Sequence, residues 1–191
     1  ETFAEIASEH GYKIVAVSDS KGGIYNKDGL NVKNLRAHKE KTGQVKDFPG
    51  SKSITNTQLL ELPADLLVPA ALEGQITEEN VDKIKTKYIL ELANGPTTPA
   101  ADVILFKKGV TVVPDVLANA GGVTVSYFEW VQNLANESWK VEEVNAKLKE
   151  KMTEAFQSVW QSAEKHKVDL RTGAYIIAVQ RIIEAQKLKG I

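Results

Sequence analysis

Residues 88–115 read YILELANGPTTPAADVILFKKGVTVVPD and contain two short apolar runs on either side of a helical segment. The runs Tyr88–Leu92 and Val110–Val113 are rich in Val, Ile and Leu and lack a clean polar alternation, which is typical of parallel strands covered on both faces. Between them, Pro99 to Lys107 predicts a helix that begins at a proline and closes at Gly109. These segments predict a right-handed unit of strand, crossover helix and strand.

The alternation of strands and helices continues towards the N-terminus. Two further strand-like runs lie at Ile14–Val17 and Asp65–Val68, and we expect all four runs to be strands of a parallel sheet. Helical patterns between the runs cover Val32–Lys41, Ile54–Leu62 and Thr77–Lys85. This order of elements predicts an α/β fold with right-handed crossovers.

Two local signals refine this arrangement. Thr55 and Gln58 have the spacing of a capping box, in which each side chain satisfies a free backbone amide at the start of a helix. Residues Gly22–Gly29 predict a small β excursion with an Asp-Gly turn.

The pattern changes after Gly122. From Val123 onward no strand pattern occurs, and two long amphipathic helices are predicted at Val141–Lys167 and Arg171–Lys189. We therefore divide the chain into a sheet-containing region, residues 1–122, and a helical region, residues 123–191, whose helices pack on the sheet or on a neighbouring domain.

Composition narrows the functions that the chain can have. The 191 residues include 24 basic and 25 acidic side chains, so the net charge of −1 gives no reason to expect a nucleic-acid or acidic-lipid partner. The absence of cysteine excludes disulfides, thiolate zinc sites, iron–sulfur clusters and a cysteine nucleophile. The three histidines lack ligand spacing, so no metal site is predicted. No apolar run approaches the ~20 residues of a membrane span.

Asp19 is the first candidate binding residue, because it lies at the carboxyl end of the first strand-like run. In a dinucleotide-binding unit, an acidic residue about 20 positions after a glycine-rich loop binds a ribose hydroxyl. Counting back from Asp19 puts that loop at or before residue 1. Residues 1–11 resemble the second half of a helix, so we expect that an earlier segment is missing. The alternative for residues 1–11 is a short native N-terminal helix. The alternative for Asp19 is a solvated aspartate at a strand end.

Three loops after the other strands are further candidates, because open α/β sheets bind ligands at the carboxyl ends of their strands. The loop with Ala70 and Ala71 has small side chains that let a ligand approach the backbone. Asn94 offers a donor and an acceptor that suit a carboxamide such as that of nicotinamide. Ser126 follows Asn119 by seven residues, about two helical turns, so both side chains are expected to face one cleft.

The chain resembles the C-terminal, cofactor-binding domain of hexameric glutamate dehydrogenases of the bacterial and archaeal kind, within the glutamate/leucine/phenylalanine/valine dehydrogenase family. The resemblance runs from residue 1 to the end of the chain. It rests on four stretches, which are Val15–Asn26 (VAVSDSKGGIYN), Leu67–Glu73 (LVPAALE), Ala93–Pro99 (ANGPTTP) and Pro114–Trp130 (PDVLANAGGVTVSYFEW). One departure is Ala100, which stands where the family usually has Glu.

The resemblance implies a Rossmann-like, doubly wound sheet that lacks its first strand and glycine-rich loop in this chain, followed by C-terminal helices. It also implies oxidative deamination of L-glutamate to 2-oxoglutarate with hydride transfer to NAD, with NADP as the alternative cofactor. The implied cofactor-binding residues are Asp19 and Ser20 at the adenine ribose, Ala70 and Ala71 along the cofactor, and Asn94 near the nicotinamide.

The implied substrate-binding residues are Asn119, Val123 and Ser126. In relatives that act on leucine, phenylalanine or valine, the position of Ser126 is typically apolar, whereas a hydroxyl there suits the γ-carboxylate of glutamate.

The family places its catalytic Lys and Asp in an N-terminal substrate domain, so no residue of this chain is assigned to catalysis, and we expect the 191 residues alone to be inactive. The resemblance implies a cytoplasmic homo-hexamer when the protein is complete. Two rival interpretations stay open: a non-catalytic nucleotide-binding remnant, and a dehydrogenase for an apolar amino acid.

Overall fold

The computed structural model describes residues 1–190, so Ile191, the last residue of the predicted helical region, lies outside the described residues. The chain forms two compact units. The first contains residues 1–64 and 83–85, and the second contains residues 65–82 and the chain from residue 86 onward. The division predicted between residues 122 and 123 stays a prediction; residue 122 lies within a helix.

The first unit is built on an antiparallel sheet in the order β1-β2-β3. A small core of Ile24, Leu30, Leu35 and Val45 lies in this unit. Its elements in chain order are α1 (Thr2–Glu9), β1 (Ala16–Asp19), β2 (Gly22–Tyr25), α2 (Val32–Thr42), β3 (Lys52–Ile54) and α3 (Asn56–Leu60).

The expectation that the first strand-like run belongs to the parallel sheet is wrong. Strand β1 pairs with β2 through a two-residue turn, with Asp19 opposite Gly22. The turn is closed by the Asp19 side chain, whose Oδ1 accepts a hydrogen bond from the Lys21 amide at 2.9 Å, and Gly22 has φ of +132°. So short a connection can only join antiparallel strands. The local turn therefore determines the pairing of β1, although its apolar pattern predicted a parallel strand. The predicted β excursion at Gly22–Gly29 contains β2.

The capping box at the start of α3 is confirmed. The amide of Gln58 donates to Thr55 Oγ1 at 3.1 Å, and the amide of Thr55 donates to Gln58 Oε1 at 2.9 Å. Two otherwise unpaired amides are thereby satisfied at the helix start.

The second unit contains the parallel sheet, in the order β4-β5-β6. Helix α4 connects β5 to β6, which confirms the predicted unit of strand, helix and strand, and the α/β fold class is confirmed with it. The elements are β4 (Leu66–Leu67), β5 (Tyr88–Leu90), α4 (Pro99–Lys107), β6 (Thr111–Val113), α5 (Asp115–Ala118), α6 (Ala120–Ala135), α7 (Val141–His166) and α8 (Leu170–Leu188).

The helix predicted at Thr77–Lys85 is wrong, because the structure has only a single 3-10 turn at Val81–Lys83. The side chain of Asn80 accepts from the Thr77 amide at 2.9 Å and donates to the Gln75 carbonyl at 2.8 Å. Such local bonds from an asparagine side chain compete with the helical hydrogen-bond pattern.

Helices α7 and α8 form a tightly packed pair. Gly173 of α8 lies so close to α7 that a Cβ atom there would be 3.0 Å from the Val159 carbonyl oxygen and 3.1 Å from the Ala163 amide nitrogen. The turn between the helices passes through Lys167 in the left-handed conformation, and Asp169 caps α8. Within residues 1–190, no helix is long and apolar enough to cross a membrane.

Candidate functional site

The carboxyl ends of β4, β5 and β6 form the candidate binding edge of the second unit. The amides of Leu92 and Ala93, after β5, both donate to the carbonyl of Pro69, after β4, at 3.0 Å. The amide of Gly74 donates to the carbonyl of Gly95 at 2.9 Å. The loops after β4 and β5 are therefore held side by side at the edge where open α/β sheets bind ligands.

Two predicted site residues, Asn94 and Asn119, are brought into direct contact at this edge. Asn119 Nδ2 donates to Asn94 Oδ1 at 2.7 Å. Asn94 is exposed and Asn119 is half-buried. Among the described residues, no hydrogen bond is made by Asn94 Nδ2 or by Asn119 Oδ1. The pair thus presents a free amide nitrogen, Asn94 Nδ2, and a free amide oxygen, Asn119 Oδ1, which complement the C=O and NH₂ groups of a carboxamide.

The surroundings of this pair leave room for a ligand. Gly95 has φ of +55°, and a Cβ atom built on it meets nothing within 4 Å. Ala70 and Ala71 are exposed, and their methyl groups are the smallest side chains that a chiral residue offers. The predicted small-residue loop therefore lies at the same edge as the asparagine pair, and the donor set fits a nicotinamide carboxamide.

The three predicted substrate residues share one face of α6. Asn119 is the residue before the helix, and Val123 and Ser126 follow at intervals of four and three positions, a spacing that places side chains on one side of a helix. Val123 is 74% exposed. Ser126 is also exposed, and its hydroxyl donates to the Gly122 carbonyl at 3.2 Å. That hydroxyl can therefore accept a further bond, or rotate towards a ligand.

Asp19 and Ser20 lie in the first unit, at the hairpin between β1 and β2. Asp19 is partly buried, and its Oδ2 accepts from the Val45 amide at 2.8 Å in addition to the bond from Lys21. Asp19 therefore stabilises the hairpin. An ionised carboxylate has about four lone-pair positions, so acceptor capacity for a ribose hydroxyl is left. Ser20 is exposed in the turn.

Sequence reasoning missed a cluster of charged side chains next to the asparagine pair. Arg171 of α8 donates from Nη2 to Glu91 Oε2 at 2.7 Å, from Nε to Asp102 Oδ2 at 2.7 Å, and from Nη1 to Asp115 Oδ1 at 2.8 Å. The three acidic partners are separated from Arg171 by 80, 69 and 56 residues, so no spacing pattern shows them. The one available signal was Glu91, an acidic residue inside an apolar run.

Charge and burial in this cluster shift the ionisation of its members. Burial of the Arg171 guanidinium opposes its charge, but its bonds to Asp102 and Glu91 outweigh that effect and raise its pKa above the ordinary value. For Asp115, burial alone acts to raise the pKa, whereas the amides of Gly95 and Val116 and the Arg171 charge lower it, and the net pKa is lowered. Both groups are therefore held in their charged forms.

The described residues contain no group of three or more His, Asp or Glu side chains that could hold a metal ion. The candidate site is accordingly defined by amide groups, small side chains and the charged cluster beside them.

Comparison with known proteins gives consistent matches. The family model described as glutamate/leucine/phenylalanine/valine dehydrogenase matches residues 1–190. The chain is 53% identical over 186 residues to a glutamate dehydrogenase of Thermotoga maritima, covering 97% of this chain and 45% of that protein. It is 48% identical over 196 residues to an NADP-specific glutamate dehydrogenase of Synechocystis, covering 98% of this chain and 46% of that protein.

The solved structures to which the chain is similar also include glutamate dehydrogenases. The chain is similar to the hetero-hexameric glutamate dehydrogenase of Thermus thermophilus in a Leu-bound form, with a TM-score of 0.90, 34% identity, and coverage of 98% of this chain and 44% of that chain. It is similar to glutamate dehydrogenase of Peptoniphilus asaccharolyticus, with a TM-score of 0.81, 35% identity, and coverage of 97% and 43%. The chain spans less than half the length of these relatives. The match over residues 1–190 shows that it belongs to the glutamate/leucine/phenylalanine/valine dehydrogenase family.

Proposed function

We propose that the chain is the cofactor-binding part of an NAD(P)-dependent glutamate dehydrogenase, which converts L-glutamate, NAD(P)⁺ and water into 2-oxoglutarate, ammonia and NAD(P)H. The observation that carries the proposal is the Asn94–Asn119 pair, which offers a matched donor and acceptor at the carboxyl edge of the parallel sheet. Membership of a family of amino-acid dehydrogenases supports it.

In this proposal the nicotinamide ring, when bound, supplies the hydride acceptor. Asn94 orients the ring by bonding its carboxamide, and Ala70 and Ala71 let the cofactor lie against the backbone. Asp19 and Ser20 bind the adenine ribose, which makes NAD the preferred cofactor and leaves NADP as the alternative. One relative, from Synechocystis, is named NADP-specific, and for this reason NADP is kept as the alternative.

The substrate is bound by the face of α6 that carries Asn119, Val123 and Ser126. Asn119 has two free groups for these roles: its Oδ1 accepts from the carboxamide, and the second N–H of its Nδ2 donates to the substrate. The Ser126 hydroxyl donates to the γ-carboxylate of glutamate, and a site built for such a bond rejects an apolar analogue that lacks the group. The catalytic Lys and Asp come from an N-terminal substrate domain, and the complete protein is a cytoplasmic hexamer. These last features rest on the resemblance to the family.

The test is an initial-rate assay of the full-length protein with NAD⁺ and NADP⁺, using glutamate, leucine, phenylalanine and valine as substrates. We expect glutamate to be oxidised with a kcat/KM at least about 100-fold above the apolar amino acids, because unpaired polar groups in the site penalise them. Preference for an apolar amino acid supports the rival dehydrogenase. Cofactor binding without turnover of any amino acid supports the non-catalytic remnant.

A further inference from the structure

Arg171 links four separate elements of the second unit. It lies in the first turn of α8, and its three acidic partners come from the segment after β5 (Glu91), from α4 (Asp102) and from the start of α5 (Asp115). Glu91 is fully buried and the Asp102 side chain is 12% exposed. Each of three guanidinium nitrogens donates to a different carboxylate, and only the planar, forked guanidinium has that geometry.

Asp115 connects this cluster to the asparagine pair. Its Oδ2 accepts from the amide of Gly95 at 2.8 Å, so the carboxylate that bonds Arg171 also holds the residue next to Asn94. Its backbone carbonyl accepts from the amide of Asn119 at 3.0 Å. Through one residue, the positions of both Asn94 and Asn119 therefore depend on the charged cluster.

Glu91 fixes Asp115 from the other side. Glu91 Oε2 accepts from the Asp115 amide at 2.9 Å and from Arg171 Nη2 at 2.7 Å. Asp115 is thus held at its amide, at both carboxylate oxygens and at its carbonyl. A partly buried ion cluster of this kind is a weak source of net stability, because the loss of hydration offsets much of the attraction. Its distinctive effect is to fix geometry.

We propose that Arg171 is a positioning residue, which acts through Asp115 to hold the Asn94–Asn119 pair in the arrangement that binds the nicotinamide carboxamide. This inference rests on the proposed function, since it takes the ligand of the pair to be nicotinamide. Arg171 does not contact the cofactor. It controls binding of the nicotinamide half without contributing to binding of the adenine half.

The test compares Arg171→Lys with the parent in the full-length protein, using calorimetric binding of NAD⁺ and of ADP-ribose, which lacks the nicotinamide. Lysine keeps the charge, but its three N–H groups share one nitrogen and cannot replace donors on three separate nitrogens. We expect NAD⁺ binding to weaken about tenfold and ADP-ribose binding to stay within about twofold. Arg181→Lys, on the exposed part of the same helix, is the matched control and is expected to change neither.

The link through the pair is tested by repeating the substitution in an Asn94→Ala background. If Arg171 acts through the pair, Arg171→Lys has a smaller further effect there, through Asn119 alone, because the two changes are then not additive. If Arg171→Lys does not fold, Asp115→Asn is used instead, because it weakens the same link. We expect it to weaken binding of NAD⁺ but not binding of ADP-ribose.

Several outcomes contradict the inference. Equal weakening of NAD⁺ and ADP-ribose, no weakening of NAD⁺, or additive losses in the Asn94→Ala background each overturn it while leaving the proposed function in place. A parent protein that binds neither nucleotide contradicts the proposed function and the inference together.

Discussion

Ser126 is the single residue on which the proposed choice of glutamate over an apolar amino acid depends. It is exposed on the same face of α6 as Asn119 and Val123, and its hydroxyl makes one bond, to the Gly122 carbonyl. That bond lies within the helix itself, and the only other contribution of the hydroxyl that we propose is binding of the γ-carboxylate.

We expect Ser126→Ala to lower kcat/KM for glutamate while sparing norvaline, an apolar analogue of similar length. The loss of one hydrogen bond to a charged group corresponds to ~1.5–3 kcal/mol. The matched control is Ser158→Ala, because the Ser158 hydroxyl makes the equivalent bond to the Glu154 carbonyl at 2.8 Å on α7. Equal losses of kcat/KM for both substrates reject the assignment of Ser126 to the γ-carboxylate.

Asp19 is the residue to which we assign the preference for NAD. The 2′-phosphate of NADP carries the same sign of charge as the Asp19 carboxylate and is repelled by it. The carboxylate also loses its hydrogen bonds to the ribose diol when the phosphate is present. Lys21, two residues after Asp19, is a flexible point charge that attracts the phosphate and offsets part of the repulsion. We therefore expect the parent to favour NAD by about 10-fold, or about 1.4 kcal/mol.

Asp19→Ser is expected to reduce the ratio of kcat/KM with NAD to kcat/KM with NADP. The substitution also removes the carboxylate that accepts from the Val45 and Lys21 amides. Stability is expected to fall by about 1–3 kcal/mol, but this loss affects both cofactors equally. Asp28→Ser, at an exposed turn position of the same unit, is the control. A parent that favours NADP, or an unchanged ratio in Asp19→Ser, excludes Asp19 as the discriminating residue.

Among the elements, the α7–α8 pair depends on close approach at Gly173. The nearest atoms to a Cβ there include backbone atoms of α7, which cannot move aside without separating the helices. Overpacking at such a position costs about 1–3 kcal/mol. Over most of that range the cost exceeds the gain of about 1 kcal/mol in helix propensity when alanine replaces glycine.

We therefore expect Gly173→Ala to lower the free energy of unfolding, measured by urea denaturation. Gly122→Ala is the matched control for stability, because Gly122 also lies in a helix but a Cβ there meets nothing within 4 Å. It is expected to be neutral or stabilising. Stabilisation by Gly173→Ala would show that the helices separate more easily than the structure indicates.

The charged cluster gives stability that depends on pH. The pKa of Asp115 is lowered from its ordinary value of 3.8 in the folded protein, so the unfolded chain takes up the proton first as pH falls. The contribution of Asp115 is therefore fully present above the unfolded pKa and is lost as pH falls through the folded pKa.

We expect the difference in unfolding free energy between the parent and Asp115→Asn to narrow as pH falls from about 6 to about 3. Asp28→Asn, at an exposed position of the first unit, controls for the removal of one carboxylate elsewhere in the chain. A constant difference between parent and Asp115→Asn across this range contradicts the role of the ionised carboxylate.

Elements with strong local signals could be predicted from the sequence. The start of α4 follows from Pro99 and its end from Gly109, and the capping box of α3 follows from Thr55 and Gln58. The pairing of β1 could not be predicted from its apolar residues, because a two-residue turn determined its partner. The helix predicted after Thr77 is absent because Asn80 bonds the backbone there. The contacts of Arg171 join residues far apart in sequence, and only the folded chain brings them together.

For the whole molecule, the chain spans less than half the length of the relatives that it matches. The proposal assigns binding groups to this chain and the catalytic Lys and Asp to a domain outside it. We therefore expect the 191-residue chain alone to show no glutamate-dependent reduction of NAD⁺ or NADP⁺ in a spectrophotometric assay. Turnover by this chain, free of contaminating enzyme, contradicts that division.

The location of the nicotinamide tests the central claim most directly. A crystal structure of the full-length protein with NAD⁺ and 2-oxoglutarate is expected to place the nicotinamide carboxamide within hydrogen-bonding distance of Asn94, at the carboxyl edge of β4, β5 and β6. A dinucleotide bound elsewhere, or with its nicotinamide away from the Asn94–Asn119 pair, contradicts the account.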